Sequence, residues 1–132
     1  MNGYITNIEA DTLANNDFRR VLYTAQRMQL VLMSLPPGTD IGEETHADVD
    51  QFIRCEAGEG TALLNGVEHV LKDGSAVVIP AGVKHNICNT SKTESLKLYT
   101  LYSPPEHKDK IVRTTKADAM VEAEHFDGKT SE

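Results

Sequence analysis

The fold is decided by residues 38–89, which read GTDIGEETHADVDQFIRCEAGEGTALLNGVEHVLKDGSAVVIPAGVKHNICN. Short apolar and β-branched runs alternate there with turn residues, and the pattern continues outward to residues 20 and 102. Helical periodicity is absent between residues 5 and 102. Regular short runs of this kind are typical of an all-β sandwich or barrel. The predicted strands are Arg20–Thr24, Met28–Leu35, Asp50–Ala57, Gly60–Asn65, Val67–Leu71, Ser75–Ile79, His85–Asn89 and Leu96–Tyr102.

The predicted strands end at residues that turn the chain. Asn65-Gly66 is the clearest turn, because both positions of a two-residue type I′ hairpin need a positive φ, which asparagine and glycine adopt readily. Further turns are predicted at Pro36-Pro37-Gly38, Gly58-Glu59-Gly60, Asp73-Gly74 and Pro80-Ala81-Gly82.

Two glycine-punctuated segments hold most of the side chains that could bind a metal ion. In the first, five residues separate Gly38 from Glu44, and His46 follows two positions later. Four residues then precede Gln51, and six more precede Gly58.

The second segment has an equally regular spacing. Five residues separate Gly74 from Pro80-Ala81-Gly82, two more precede His85, and three more precede Asn89. Fifteen residues lie between Gly58 and Gly74.

Together the two segments resemble the two motifs of the cupin superfamily, and the chain looks like a small bacterial cupin of the phosphomannose-isomerase-like type. The first family motif is Gly, five residues, His-x-His, three or four residues, Glu, six residues, Gly. The second is Gly, five residues, Pro-x-Gly, two residues, His, three residues, Asn. The resemblance implies a double-stranded β-helix, the cupin or jelly-roll barrel. We expect one cupin domain over residues 1–132, with a motif core at 30–102 and a C-terminal extension at 103–132.

The resemblance also implies a divalent metal ion bound by Glu44, His46, Gln51 and His85. Two residue types depart from the family pattern, because Glu44 replaces a histidine and Gln51 replaces the glutamate. Residues two apart on a strand point to the same side, so Glu44 and His46 can share one face. Two nitrogen and two oxygen ligands favour Mn²⁺ or Fe²⁺, with Ni²⁺ or Zn²⁺ as alternatives.

A different ligand set also fits the residues. His46, Asp48 and His85 could form the facial triad of two histidines and one carboxylate that binds iron in non-haem oxygenases. This alternative requires the strand at His46 to continue as far as Asp48.

No metal-binding or catalytic role is predicted for the other histidines and the cysteines. We predict that His69, His107 and His125 are surface residues. Cys55 and Cys88 are predicted to be free thiols, with Cys55 facing inward as a small pocket wall by strand alternation.

Composition excludes several classes of partner. The chain of 132 residues has a formal net charge of −7 and no cluster of basic residues, so neither nucleic acid nor an anionic membrane is expected as a partner. Its apolar runs are far shorter than the roughly 20 residues that span a bilayer. The first ten residues lack a signal-like pattern, so we expect a cytoplasmic location. Barrels of this type commonly pair, which predicts a homodimer.

The chain changes character after residue 102. Ser103-Pro104-Pro105 ends the last strand, and Thr115 precedes a predicted helix from about Lys116 to Glu124. Its apolar side is predicted to be Ala117, Met120, Val121 and Ala123, and to pack on the barrel or on a neighbouring subunit. The last five residues are predicted to be frayed.

Three functions are compatible with such a site. The first is a small-molecule metalloenzyme, an isomerase or lyase that acts on a sugar or keto acid, with Glu43 or Asp50 as candidate base. A phosphosugar would need convergent cations, for which Arg54 and Lys97 are the candidate pair. The second is a metal-dependent dioxygenase, and the third is a non-catalytic domain that binds or senses a small ligand.

Overall fold

The computed structural model describes residues 1–121 and 124–132, which form two short helices and nine strands. The helices are α1 (Ile8–Ala14) and α2 (Lys116–Val121). The strands are β1 (Arg19–Thr24), β2 (Gln29–Leu35), β3 (Asp50–Ala57), β4 (Gly60–Leu64), β5 (Val67–Leu71), β6 (Ala76–Ile79), β7 (His85–Asn89), β8 (Leu96–Ser103) and β9 (Val112–Arg113).

Two antiparallel sheets form the body of the protein. The larger sheet has the strand order β6-β3-β8-β2-β1-β9, and the smaller has the order β5-β4-β7. Alternate residues of each strand face inward, as strand geometry requires, and they form one apolar core that includes Val31, Met33, Ile53, Ile87 and Leu98. The predicted all-β double-stranded β-helix is confirmed, and each predicted strand lies within one residue of an observed one.

The hairpin between β4 and β5 has the predicted turn. Leu64 pairs with Val67, and the two residues between them, Asn65 and Gly66, have φ angles of 49° and 82°. Both values are positive, as a type I′ turn requires. The Asn65 side-chain oxygen also accepts a hydrogen bond from the backbone N of Lys84 at 3.1 Å, which ties this hairpin to the start of β7.

The prediction that no helix lies between residues 5 and 102 was wrong, because α1 occupies Ile8–Ala14. Asn7 caps this helix, and its side-chain oxygen accepts a hydrogen bond from the backbone N of Ala10 at 3.0 Å. A seven-residue helix is too short for periodicity to detect, since the helical pattern needs a window of roughly 11 to 18 residues. Strand β9 was also missed, because its two residues are too few to show the alternation of a strand.

Helix α2 begins at Lys116 as predicted, and the Thr115 hydroxyl accepts a hydrogen bond from the backbone N of Asp118 at 3.1 Å. The helix is described as far as Val121, Glu124 is not helical, and Ala123 lies outside the described residues. Neither described helix is long and apolar enough to cross a bilayer.

In the residues that the structure describes, the predicted apolar side of α2 does not pack on the barrel, and its packing on a neighbouring subunit stays a prediction. Ala117 is exposed, as are Met120 and Val121, whereas Ala119 packs against the core. Ala119 is thus the apolar residue of the described part of α2 that packs against the core, while Met120 and Val121 remain largely exposed.

The chain terminus is tied down rather than frayed. The backbone N of Ser131 donates to the carbonyl of Thr24 at 2.9 Å. The Glu132 carboxylate accepts hydrogen bonds from the backbone N of Asn2 at 2.8 Å and of Gly3 at 3.2 Å. These contacts join the two ends of the chain and leave no local trace in the sequence.

Both cysteines are free, as predicted. Cys55 is fully buried on the inner face of β3, in alternation with Gln51 and Ile53. Burial raises the pKa of the Cys55 thiol to about 11. A thiol of this kind is a packing residue and not a nucleophile.

Candidate metal centre

Glu44 and His85 are placed side by side by a short backbone bridge. The backbone N of each residue donates to the carbonyl of the other, both at 2.9 Å. Residues 39–44 thus run along β7 as an irregular extra strand, an arrangement continued by the hydrogen bond from Ile41 N to Ile87 O at 2.9 Å. Residues directly opposite in an antiparallel pair project to the same face. The bridge therefore directs both side chains to one side.

His46 is held by the turn that precedes β7. The backbone N of Gly82 donates to the carbonyl of His46 at 2.8 Å. The same turn is fixed by Asp50, whose carboxylate accepts a hydrogen bond from the backbone N of Ala81 at 2.8 Å. The turn of the second motif thus positions the histidine of the first.

The result is a compact cluster of three possible ligands, Glu44, His46 and His85, whose ligand atoms all lie within 4.8 Å of one another. Glu44 Oε2 and His46 Nε2 are 3.1 Å apart. Two ligands bound at right angles about 2.1 Å from one ion lie about 3.0 Å apart. The spacing of this pair therefore suits a single divalent ion.

The orientation of the two imidazoles also suits a metal ion. His85 Nδ1 lies 2.9 Å from the carbonyl oxygen of Val83, which can only accept, so Nδ1 donates to it and Nε2 is the ring nitrogen left to face an ion. His46 Nδ1 lies 3.5 Å from the carboxylate of Glu106. His85 Nε2 is buried with no hydrogen-bond partner among the described residues, and His46 Nε2 faces the Glu44 carboxylate. Histidine ligands characteristically donate their second ring nitrogen to a carbonyl or carboxylate in this way.

The charges around the cluster favour a cation. The hydrogen bond to Glu106, followed by that to Glu44, raises the pKa of His46 to about 9, although burial opposes this change. Burial raises the pKa of Glu44, but the hydrogen bond to His46 and the positive charges of His46 and Arg19 outweigh it and lower the pKa overall. A divalent ion at His46 Nε2 would replace the proton that these carboxylates stabilise.

Gln51 occupies the inner face of β3 and is 4% exposed. Its Nε2 donates to the hydroxyl of Thr100 at 3.1 Å, and its Oε1 is buried without a partner within the described ranges. This orientation leaves an oxygen free to accept. Gln51 as a fourth ligand stays a prediction.

The alternative triad finds no support in the geometry. The chain bends at Ala47 and Asp48 instead of continuing as a strand. Asp48 is exposed, and it is not a member of the cluster found among the described residues. The carboxylate beside the two histidines is Glu44.

The other candidate residues are engaged elsewhere. Glu43 is exposed and forms an ion pair with Lys84 at 3.2 Å. Arg54 pairs with Glu56 at 2.9 Å, and Lys97 donates to the Asn16 side chain at 2.9 Å. Arg54 and Lys97 do not line the cavity at the cluster.

A cavity of about 170 Å³ adjoins Glu44 and His46. Its opposite wall comes from outside residues 38–89 and includes Arg19, Glu106, His107 and Lys116. These residues were not predicted as part of the site. His85 also borders a second cavity of about 360 Å³, beside Glu43 and Asn65.

His107 is buried, so the prediction that it is a surface residue was wrong. The fully buried Gln29 holds its backbone, with Nε2 donating to the His107 carbonyl at 2.7 Å and Oε1 accepting from the backbone N of His107 at 3.0 Å and of Glu106 at 3.2 Å. His69 and His125 are exposed, as predicted. A glutamine at the start of a largely apolar strand was a signal of an unusual position, but it did not indicate the partners.

We expect Gln29→Leu to lower the free energy of unfolding by roughly 2–4 kcal/mol, because it leaves buried backbone groups of residues 106 and 107 without partners. Urea unfolding measures this change. Gln26→Leu is the matched control, since Gln26 is exposed three residues earlier. Equal stability of the two variants would contradict the role assigned to Gln29.

Comparison with known proteins agrees with this fold. The cupin-domain profile matches residues 31–102. The crystal structure of BH2720 from Bacillus halodurans is similar, with 41% sequence identity and a TM-score of 0.88, covering 90% of this chain and 94% of that one.

Two curated proteins are also similar in sequence. The uncharacterized protein YrkC of Bacillus subtilis (strain 168) is 45% identical over 123 residues, which cover 89% of this chain and 66% of YrkC. The uncharacterized protein L612 of Acanthamoeba polyphaga mimivirus is 50% identical over 107 residues, which cover 79% of this chain and 67% of L612. The chain therefore spans about two thirds of the length of these relatives. On the profile match and these similarities, the chain belongs to the cupin family.

Proposed function

We propose that this cupin binds a divalent metal ion and acts as an isomerase or lyase on a small keto acid or sugar. The observation that carries the proposal is the cluster of Glu44, His46 and His85, whose ligand atoms lie within 4.8 Å of one another and in which the buried Nε2 of His85 has no partner among the described residues. Mn²⁺ or Fe²⁺ suits this mixture of oxygen and nitrogen ligands, with Ni²⁺ or Zn²⁺ as alternatives.

The side chains around the cavity have separate roles in this proposal. Glu44, His46 and His85 hold the ion, with Gln51 as the fourth ligand, and Glu106 orients His46 through Nδ1. A bound divalent ion polarises a ligand carbonyl and makes the neighbouring C–H more acidic. Burial, together with the positive charges of Arg19, His46 and His125, lowers the pKa of His107 well below its usual value. His107 is therefore neutral at pH 7, and its unpartnered Nε2 is the group we assign to proton transfer.

A phosphosugar fits the cavity less well than a keto acid does. The candidate phosphate-binding pair, Arg54 and Lys97, is engaged away from the cavity. The mannose-6-phosphate-isomerase-like version of the function is therefore not the one we propose.

Metal analysis and isotope exchange test the proposal. The protein, purified without a nickel column, is expected to contain a transition metal by mass spectrometry. With the metal bound, the C–H next to the carbonyl of a 2-oxo acid should exchange with D₂O, as followed by proton NMR. Metal-dependent oxygen uptake without exchange would instead indicate a dioxygenase. A metal-loaded protein that gives neither signal with keto acids or sugars would favour a non-catalytic binding domain.

We also propose that the protein is a cytoplasmic homodimer, on the analogy of barrels that pair through an edge strand. Light scattering after size exclusion measures the assembly, and a monomer at micromolar concentration would contradict it.

A further inference from the structure

Arg19 and Arg20 are adjacent on β1 and have opposite environments. Strand alternation turns Arg20 outward, where it pairs with Asp17 at 2.8 Å and remains 45% exposed. The same alternation turns Arg19 inward, so that it is only 9% exposed and lines the cavity beside Glu44 and His46.

The Arg19 guanidinium has no acceptor. Neither a hydrogen bond nor an ion pair joins its side chain to any residue of the ranges 1–121 and 124–132, and its Nε is completely buried. Its guanidinium carbon lies 5.5 Å from the centre of the Phe18 ring, and its charge lowers the pKa of Glu44 without a hydrogen bond between the two side chains. Burying an unpaired cation is unfavourable, so this arrangement needs a compensating role.

The charges in the cavity indicate what the missing partner is. Glu44 and Glu106 would together balance a divalent ion at the cluster. Two other charged residues of the wall are already paired, Lys116 with Asp40 and Glu124 with Arg113. The positive charge of Arg19 is then left without a counterion among the described residues that line the cavity. A ligand with one negative charge would supply that counterion.

The size of the cavity limits the ligand. At roughly 30 Å³ for each water molecule in the liquid, a cavity of about 170 Å³ has room for about six water-sized groups. A three-carbon 2-oxo acid has six non-hydrogen atoms and fits this space. The planar guanidinium binds a carboxylate through two parallel hydrogen bonds, which lysine cannot do.

We propose that Arg19 is a specificity-determining residue that binds the carboxylate of a small 2-oxo or 2-hydroxy acid, with the acid's remaining oxygens directed toward Glu44, His46 and His85. This inference rests on the proposed function and narrows its substrate to a carboxylate. It assigns Arg19 to the ligand and not to the metal.

Calorimetric titration of pyruvate into the Mn²⁺-loaded protein tests this role. We expect Arg19→Met to weaken pyruvate binding at least about tenfold, because it removes two charge-assisted hydrogen bonds. Arg20→Met is the matched control and should bind pyruvate like the wild type. Pyruvamide, which lacks the charge, should bind weakly to all three proteins.

Two further measurements separate this inference from the proposed function. Metal content should be the same in Arg19→Met and in the wild type. If the proposed function were wrong, the wild type itself would contain no metal. The midpoint of thermal unfolding of Arg19→Met should be unchanged or higher, because an unpaired buried cation is removed. Should Arg19→Met not fold, Arg19→Gln keeps a polar side chain and should show the same loss of pyruvate binding.

The inference is overturned by any of three results. One is equal affinity for pyruvate in the wild type and in a folded Arg19 variant. Another is a metal-loaded wild type that does not bind pyruvate. The third is tighter binding of inorganic phosphate than of pyruvate, which would assign the cavity to a phosphate group.

Discussion

Replacing His85 with alanine is expected to lower the affinity for Mn²⁺ at least about a hundredfold. Loss of a residue that only orients a ligand costs about 10- to 100-fold in metal affinity, so loss of a ligand should cost more. The variant is a clean test because the backbone bridge to Glu44 uses the N and O of residue 85 and survives the substitution.

Calorimetry with Mn²⁺ and mass spectrometry of bound metal measure the effect. His69→Ala is the control, since His69 is exposed on β5 and lies outside the cluster. Circular dichroism should show that both variants keep the strand content of the wild type. Full metal content in folded His85→Ala would refute the ligand set.

The strands could be predicted from sequence because the information for them is local. A β-strand reveals itself through alternation and through the residues that end it, and Asn65-Gly66 specifies its turn without reference to any distant residue. The three-residue cluster had a different source: Glu44, His46 and His85 were implied by the resemblance of the two motifs to the cupin pattern, carried over position by position.

The opposite wall of the cavity could not be predicted because its contacts are long-range. Gln29 binds residues 77 and 78 positions away, and nothing near it in sequence indicates a polar partner. Arg19 and Arg20 look alike in the sequence as two adjacent charges. Only the position of the core decides which of them faces inward, and that position depends on the pairing of β1 with β2.

The glycines were predicted to have structural roles, but the physical reason for a glycine was not always the predicted turn. Gly58-Glu59-Gly60 was interpreted as a turn, and Gly58, with a φ of 91°, fits that interpretation. Gly60 instead begins β4, and its φ lies outside the left-handed region. Its requirement is for space: a Cβ there would lie 2.2 Å from the carbonyl oxygen of Cys88 on β7 and 2.9 Å from a methyl group of Leu96.

We therefore expect Gly60→Ala to lower the free energy of unfolding by roughly 2–4 kcal/mol, because a backbone carbonyl cannot move aside as a flexible side chain can. Urea unfolding measures this loss. The substitution should also weaken Mn²⁺ binding, since β7 must shift and β7 begins at His85.

Gly66→Ala serves as a comparison, because it introduces backbone strain without a steric clash. A Cβ at Gly66 would meet nothing within 4 Å, but its φ of 82° is unfavourable for alanine. That variant should lose about 1–2 kcal/mol of stability and keep its affinity for Mn²⁺, because strain in the hairpin turn leaves β7 in place. If Gly60→Ala were no less stable than Gly66→Ala and bound Mn²⁺ equally well, the close approach of β4 to β7 could not be what positions His85.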